Sequence, residues 1–375
     1  MTFLATDPLA ASAGPAGAAM GTASTSQEAR AGSQGQKATA AAASGPSPEQ
    51  WDAAVALVEQ AVAAGTTIGL LAHVNPDGDA LGSALALGLA LQSRGARVVV
   101  SFEAVPFGVP ANLRFLPGQH MIVAPEQFPD DVPLVITFDT GSLDRLGVLA
   151  PVAATTQAVL VIDHHRSNTG FGTDLLLDVT AASTTEVVAA LVDKLGVPLS
   201  EELATALYVG LVTDTGSFRY SATSPESHEL AARLLRAGVR HAEVNLLVWD
   251  TRPLGYLPLL AAALGRVKLW GDVVWTWVSV DDLEAAGVGL EEAESIIDVV
   301  RTAEQSQVAV VLKQDVDGSW RVSTRSRGKV DVGAACGLLG GGGHQLAAGF
   351  TSRDDAATTL EKFRAAVART APLTS

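Results

Sequence analysis

TIGLLAHVNPDGDALGSALALGLALQSRG (67–95) reads as a buried strand, a polar loop and a helix in that order. TIGLLA (67–72) is a short, continuous apolar run, the pattern of a strand covered on both faces. ALGSALALGLALQSRG (80–95) has helical length and stops at Gly95. Between them lies His73-Val74-Asn75-Pro76-Asp77-Gly78-Asp79. In a parallel α/β sheet, ligands collect outside the carboxyl ends of the strands. A loop with one imidazole and two carboxylates at that end can aim all three at a metal.

Outward from this unit the pattern repeats. RVVVSFE (97–103), PLVITFD (133–139) and AVLVID (158–163) are Val- and Ile-rich strands. TTEVVAALVDKLG (184–196), SEELATALYVGLVTD (200–214) and SPESHELAARLLRAG (224–238) are helices, the last with Ser224 and Pro225 as start signals and Gly238 as stop. Continuous apolar strands interleaved with helices predict a parallel sheet with helices on both faces. Upstream, Ser47-Pro48-Glu49-Gln50 reads as a capping box with Pro at the first helical position. Residues 1–46 are Ala-, Gly-, Ser-, Thr-, Gln- and Pro-rich and lack the large apolar residues that offset ordering entropy, so they read as a disordered tail. The first domain is placed at 47–240. HAEVNLLVWDTRPLGYLP opens a stretch with Pro253, Gly255 and Pro258 and weak periodicity, which is read as a linker over 241–262. Residues 263–375 change texture. GRVKLWGDVVWTWVSV (265–280) and VAVVLKQDVDGSWRVSTRS (308–326) each read as a hairpin, with helices near 290–303 and 354–370: a smaller α+β domain.

Three further elements end in similar chemistry. Asp139 closes LVITFD, Asp163-His164-His165 follow AVLVI, and Asp214 ends a mostly apolar helix. Each has an ordinary reading: an Asp-Gly turn at 77–78, a helix cap or turn at Asp139, a surface His pair, a loop Asp. Their coincidence at one topological edge favours a metal centre. Mixed N and O donors suit manganese, magnesium, iron or zinc. Two ions about 3.5–4 Å apart, bridged by a carboxylate, can activate water and clamp a phosphoryl group for in-line attack. The run Gly340–Gly343 before His344 allows backbone N–H groups to approach an anion, and Arg325, Ser326 and Arg327 lie upstream. Trp270, Trp275 and Trp277 read as hairpin packing, and Cys336 as a small buried thiol.

Composition narrows the classes. Formal net charge is -15, which disfavours long nucleic acid, whose affinity rests on many Lys and Arg contacts to phosphate. One cysteine among 375 residues rules out an intramolecular disulfide. No window has the length and apolarity of a membrane span, and 1–20 lacks the basic and apolar regions of a signal peptide. Cytoplasmic residence is the expectation.

The order H-x-x-x-D-x-D, D, D-H-H, D across roughly 51–240 resembles the DHH phosphoesterase family. RVSTRSRGKVDVGAACGLLGGGGHQLAAGF (321–350) resembles the glycine-rich signature of its DHH-associated domain. Within the family, both halves look like the NrnA-type nanoRNase and pAp phosphatase group. The resemblance implies an active site in the cleft between two α/β lobes. It implies two divalent cations, manganese with magnesium as the alternative, one held by His73, Asp77 and Asp139 and the other by Asp79, Asp139, His164 and Asp214. It makes Asp139 the bridge, has Asp163 orient a ligand histidine, and turns His165 toward the substrate phosphate. Arg325, Ser326, Arg327, Gly341, Gly342, Gly343 and His344 would grip substrate. The implied substrates are short RNA oligonucleotides cut to mononucleotides and 3′-phosphoadenosine 5′-phosphate cut to AMP, with no long duplex and no membrane as partner; a homodimer is also suggested. Cyclic or linear dinucleotides such as c-di-AMP and pApA are the alternative substrates. A non-catalytic nucleotide sensor is the alternative of another class, disfavoured because each ligand position carries a competent side chain.

Overall fold

The computed structural model describes residues 45–371 and 373. Residues 1–44 of the expected tail lie outside the described residues. The chain divides into two compact units that part between Thr251 and Arg252.

The first unit opens with α1 (Pro48–Ala64). The Ser47 hydroxyl accepts from the Gln50 amide and the Gln50 side chain accepts from the Ser47 amide, the capping box read from the sequence. There follow β1 (Thr67–Ala72), α2 (Gly78–Ser93), β2 (Arg97–Ser101), β3 (Leu134–Phe138), α3 (Ala150–Thr155), β4 (Ala158–Asp163), β5 (Asp174–Leu177), α4 (Thr184–Lys194), α5 (Glu201–Asp214), α6 (Pro225–Arg236) and α7 (His241–Trp249). Among the described residues the sheet has five strands in the order β2-β1-β3-β4-β5, all paired parallel. Alternate strand residues serve two cores. Ile68, Leu70, Ile136 and Leu160 pack with α2, α4 and α5. Leu71, Val135, Val159 and Val161 pack with Phe128, Leu146 and Ala153 on the other face. This two-sided burial is why the strands are apolar without alternation. Helix α2 is buried from Gly78 through Gly88, which explains a segment apolar all round.

Two features go beyond the sequence reading. Strand β5, Asp-Leu-Leu-Leu, was not foreseen; it is a four-residue edge strand, too short for a periodic signal. The 241–262 stretch, read as a linker, contains the boundary between the two units and carries α7 and most of α8 (Tyr256–Leu264). Val244 and Val248 bury the inner face of α7 in the first core. Pro258 lies in the first turn of α8, where a missing N–H costs no helical hydrogen bond.

After α8 the second unit runs β6 (Lys268–Trp270), β7 (Val273–Val278), α9 (Val280–Ala286), α10 (Ile296–Val300), β8 (Val308–Gln314), β9 (Trp320–Ser326), α11 (Val332–Gly337), β10 (Gly342–His344), β11 (Ala347–Ser352) and α12 (Ala356–Val367). Its sheet, among the described residues, orders the strands β10-β11-β9-β8-β7-β6, parallel only between β7 and β8. The two foreseen hairpins turn at Gly271 and Gly318, both at positive φ. Trp275 and Trp277 are buried with Val310, Leu312 and Phe363 on one face; Val274, Val311 and Ile296 form a core on the other.

Candidate metal centre

The strand order reverses between β1 and β3, the place where parallel sheets open a crevice at their carboxyl ends. His73 leaves β1 there, and its loop is held by hydrogen bonds from the Val74 amide to Arg145 O (2.9 Å) and from the Asn75 amide to Glu103 O (2.8 Å). Asp77 caps α2, its Oδ1 accepting from the amides of Asp79 and Ala80, and Asp79 occupies the first turn. Asp139 follows β3 with φ at +54°, a left-handed conformation that Asp tolerates better than most side chains. His164 follows β4, and Asp214 is the last residue of α5.

His73, Asp77 and Asp139 form one donor group and Asp79, Asp139 and His164 another, with Asp139 common to both; Asp214 joins the second through its contact with His164. Asp139 Oδ2 lies 3.5 Å from His73 Nε2, which is 3.8 Å from Asp77 Oδ2. Asp139 Oδ1 lies 3.4 Å from His164 Nε2, which is 3.1 Å from Asp214 Oδ2 and 3.9 Å from Asp79 Oδ2. Ligands about 2.1 Å from one octahedral ion stand roughly 3 Å apart, so both groups need only a small contraction. The tautomers fit as well. Nδ1 of His73 faces Val74 O at 2.9 Å and Nδ1 of His164 faces Ala181 O at 3.2 Å. Each Nδ1 donates to a carbonyl, so each ring presents Nε2 to the carboxylates, the arrangement that orients metal-bound imidazole.

The electrostatics point the same way. Burial raises the Asp79 carboxyl well above its ordinary range, and the charges of Asp214 and Asp139 add to it. Burial works against the charged form of His73, yet Asp139 and Asp77 outweigh it and hold the ring at about 10. His164 is also held high against burial, by Asp139 and Asp214. Burial opposes the Asp139 charge too, and the surrounding histidines more than compensate, leaving it well below the usual range. Crowded carboxylates thus draw protons onto the imidazoles, where a divalent cation would supply the same positive charge.

The structure differs from expectation at Asp163. Its Oδ1 accepts from His165 Nδ1 at 2.8 Å and from the amides of His164 and His165. It therefore orients His165, not the ring of His164. Sequence reasoning also missed three partners. Asn168 donates to Asp163 Oδ2 at 2.6 Å. The Thr184 and Thr185 amides, at the start of α4, donate to the two oxygens of Asp79 at 2.6 and 2.9 Å. The Thr184 hydroxyl donates to Asp139 Oδ1 at 2.9 Å. Ser183-Thr184-Thr185-Glu186 has the pattern of a helix start, the signal that marked free amides there.

In the second unit the expected substrate residues separate into two kinds. Arg325, Ala347 and His344 are directly opposite one another across β9, β11 and β10, so the arginine and histidine share a sheet face with a small residue between. Gly342 and His344 are exposed in β10, so part of the glycine run is an edge strand. Ser326 is buried, its hydroxyl accepting from the amides of Gly328 and Val330, which makes it a turn residue. Arg327 donates to Ala303 O. A Cβ on Gly341 would meet Gly349 O at 2.1 Å and one on Gly343 would meet Ala347 O at 2.6 Å; close strand packing accounts for both glycines.

Comparison with known proteins gives the family. Residues 67–211 match the DHH family, N-terminal domain, and residues 279–371 match the DHHA1 domain. The chain is 36% identical over 308 residues to the bifunctional oligoribonuclease and PAP phosphatase NrnA of Thermus thermophilus, covering 82% of this chain and 90% of that one. It is 26% identical to the protein of the same name from Bacillus subtilis, covering 76% and 88%. An exopolyphosphatase-related protein from Bacteroides fragilis shares the fold, with a TM-score of 0.77 at 24% identity over 86% of this chain and 96% of that one. With both domains in order and more than a third of positions identical over most of a relative's length, this chain belongs to the DHH family of phosphoesterases.

Proposed function

We propose that the chain hydrolyses phosphoesters of short oligoribonucleotides and of 3′-phosphoadenosine 5′-phosphate, using two divalent cations, with manganese the preferred ion. The observation that carries the reading is Asp139 placed between two imidazole–carboxylate groups, one oxygen toward each. The substrate class is the one for which the Thermus and Bacillus relatives are named. His73, Asp77 and Asp139 would hold one ion; Asp79, Asp139, His164 and Asp214 the other. Bound there, the pair would supply an activated water and neutralise charge on the phosphoryl group. With Nδ1 committed to Asp163, His165 would address a phosphate oxygen through Nε2. Arg325 and His344, which share a face of the second unit's sheet, would grip a second phosphate of the substrate. Arg suits this by its planar fork of donors.

The test is a time course with manganese on 3′-phosphoadenosine 5′-phosphate, 5′-phosphorylated di- to pentanucleotides, c-di-AMP and pyrophosphate. Mononucleotide release from the first two, lost on chelation and restored by manganese, is the expected result. Turnover confined to the cyclic dinucleotide, or unchanged by exhaustive chelation, overturns it.

A further inference from the structure

The shared carboxylate has an orientation problem. To serve both donor groups, Asp139 must keep Oδ2 toward His73 and Oδ1 toward His164. Its left-handed backbone places the side chain, but rotation about the last bond would exchange or tilt the oxygens. The hydroxyl of Thr184 donates to Oδ1 at 2.9 Å, closer than His165 Nδ1 at 3.4 Å, whose nearer partner is Asp163, and both Thr184 and Asp139 are buried. The same residue's amide grips Asp79 Oδ2. One threonine thus touches two of the three carboxylates of the second donor group, through different atoms.

We propose that Thr184 is a positioning residue for the cation pair: its hydroxyl fixes how Asp139 divides its oxygens and thereby sets the affinity of the Asp79–Asp139–His164–Asp214 group for its ion. The inference rests on the metal-centre reading above. The residue touches no reacting atom in this scheme. It acts through Asp139, as hydrogen-bond partners of ligands commonly do, with effects of roughly 10–100-fold on metal affinity. The first group, anchored on His73 and Asp77, feels the change only through Asp139 Oδ2.

Thr184→Val isolates the hydroxyl. Valine matches threonine in shape and leaves the two amide contacts to Asp79 in place. The full chain, stripped by chelation, is titrated with manganese while free ion is followed by electron paramagnetic resonance. Wild type is expected to take up two ions per chain. Asp214→Asn identifies which binding step belongs to the second group. Thr184→Val should weaken that same step by ~10-fold or more and leave the other within about threefold, while Thr184→Ser restores it. Thr184→Ala serves in place of the valine variant if circular dichroism shows that the latter is unfolded. Unchanged binding, or equal weakening of both steps, overturns the proposal while sparing the metal centre. Failure of wild type to bind two ions overturns both.

Discussion

Asp139 combines a left-handed backbone, burial and four polar neighbours, His73, His164, His165 and Thr184, so its replacement must separate charge from conformation. Asparagine keeps the left-handed preference and the size but removes the charge that two cations would share. Asp139→Asn should therefore melt within a few degrees of wild type yet lose more activity than the roughly 10–100-fold that follows loss of a ligand's hydrogen-bond partner; steady-state hydrolysis beside a melting curve checks it, and near-normal turnover would remove Asp139 from the bridge. Cys336 is a second residue with a defined expectation. Burial pushes its thiol up to about 11, against a small opposing effect of the Thr324 hydroxyl. The native chain should react slowly with iodoacetamide at pH 8 and promptly in denaturant. Because the folded value is raised, the thiol's contribution to stability is complete below about pH 8.5, the ordinary value, and is lost as pH rises toward 11. At this scale the sequence displayed the proposed metal donors, since each sits at or shortly after the end of an apolar run. Thr184 and Asn168 were hidden, because an ordinary hydroxyl and amide gain their meaning only from carboxylates that the fold brings to them.

Helices α2 and α5 show how an element can be legible while its packing is not. The apolar, Gly- and Ala-rich run of α2 announced a buried helix, but not that its neighbour would cross against its glycines. A Cβ on Gly82 would lie 2.6 Å from Ala206 O, and one on Gly210 would lie 2.3 Å from Thr185 Cγ2 and 2.8 Å from Asp79 Oδ1. The crossing that closes the core thus also seats the start of α4 and the Asp79 carboxylate. Gly210→Ala gains helix propensity but overpacks this junction, for a net loss of about 1–3 kcal/mol, read as a lower urea midpoint. It should also weaken manganese binding, whereas an alanine at exposed Gly196, φ +67°, should cost stability alone. The elements that escaped prediction share a cause. Strand β5 is short and at an edge, β10 is made mostly of glycine, and α7 was masked by the Pro and Gly residues just beyond it. In each, tertiary contact supplies what local pattern lacks.

The whole molecule is two units with separate cores, and the six proposed metal donors all belong to the first. Those donors come from four segments of the chain, so the unfolded state has no comparable site and cation binding must favour folding. An ion at 100 times its dissociation constant stabilises the folded form by about 2.7 kcal/mol. In a chain of two separately packed units that stabilisation should be selective. Trp51 and Trp249 lie in the first unit, while Trp270, Trp275, Trp277 and Trp320 lie in the second. Tryptophan fluorescence therefore weights the unfolding of the second unit, and far-ultraviolet circular dichroism reports both. Manganese should move the dichroism transition upward by several degrees and leave most of the fluorescence transition in place. The two curves should coincide less well with the ion than without it. A single transition that moves equally by both probes would mean that the units unfold as one. A dichroism curve that ignores manganese would leave the clustered carboxylates without the cations that their mutual repulsion calls for.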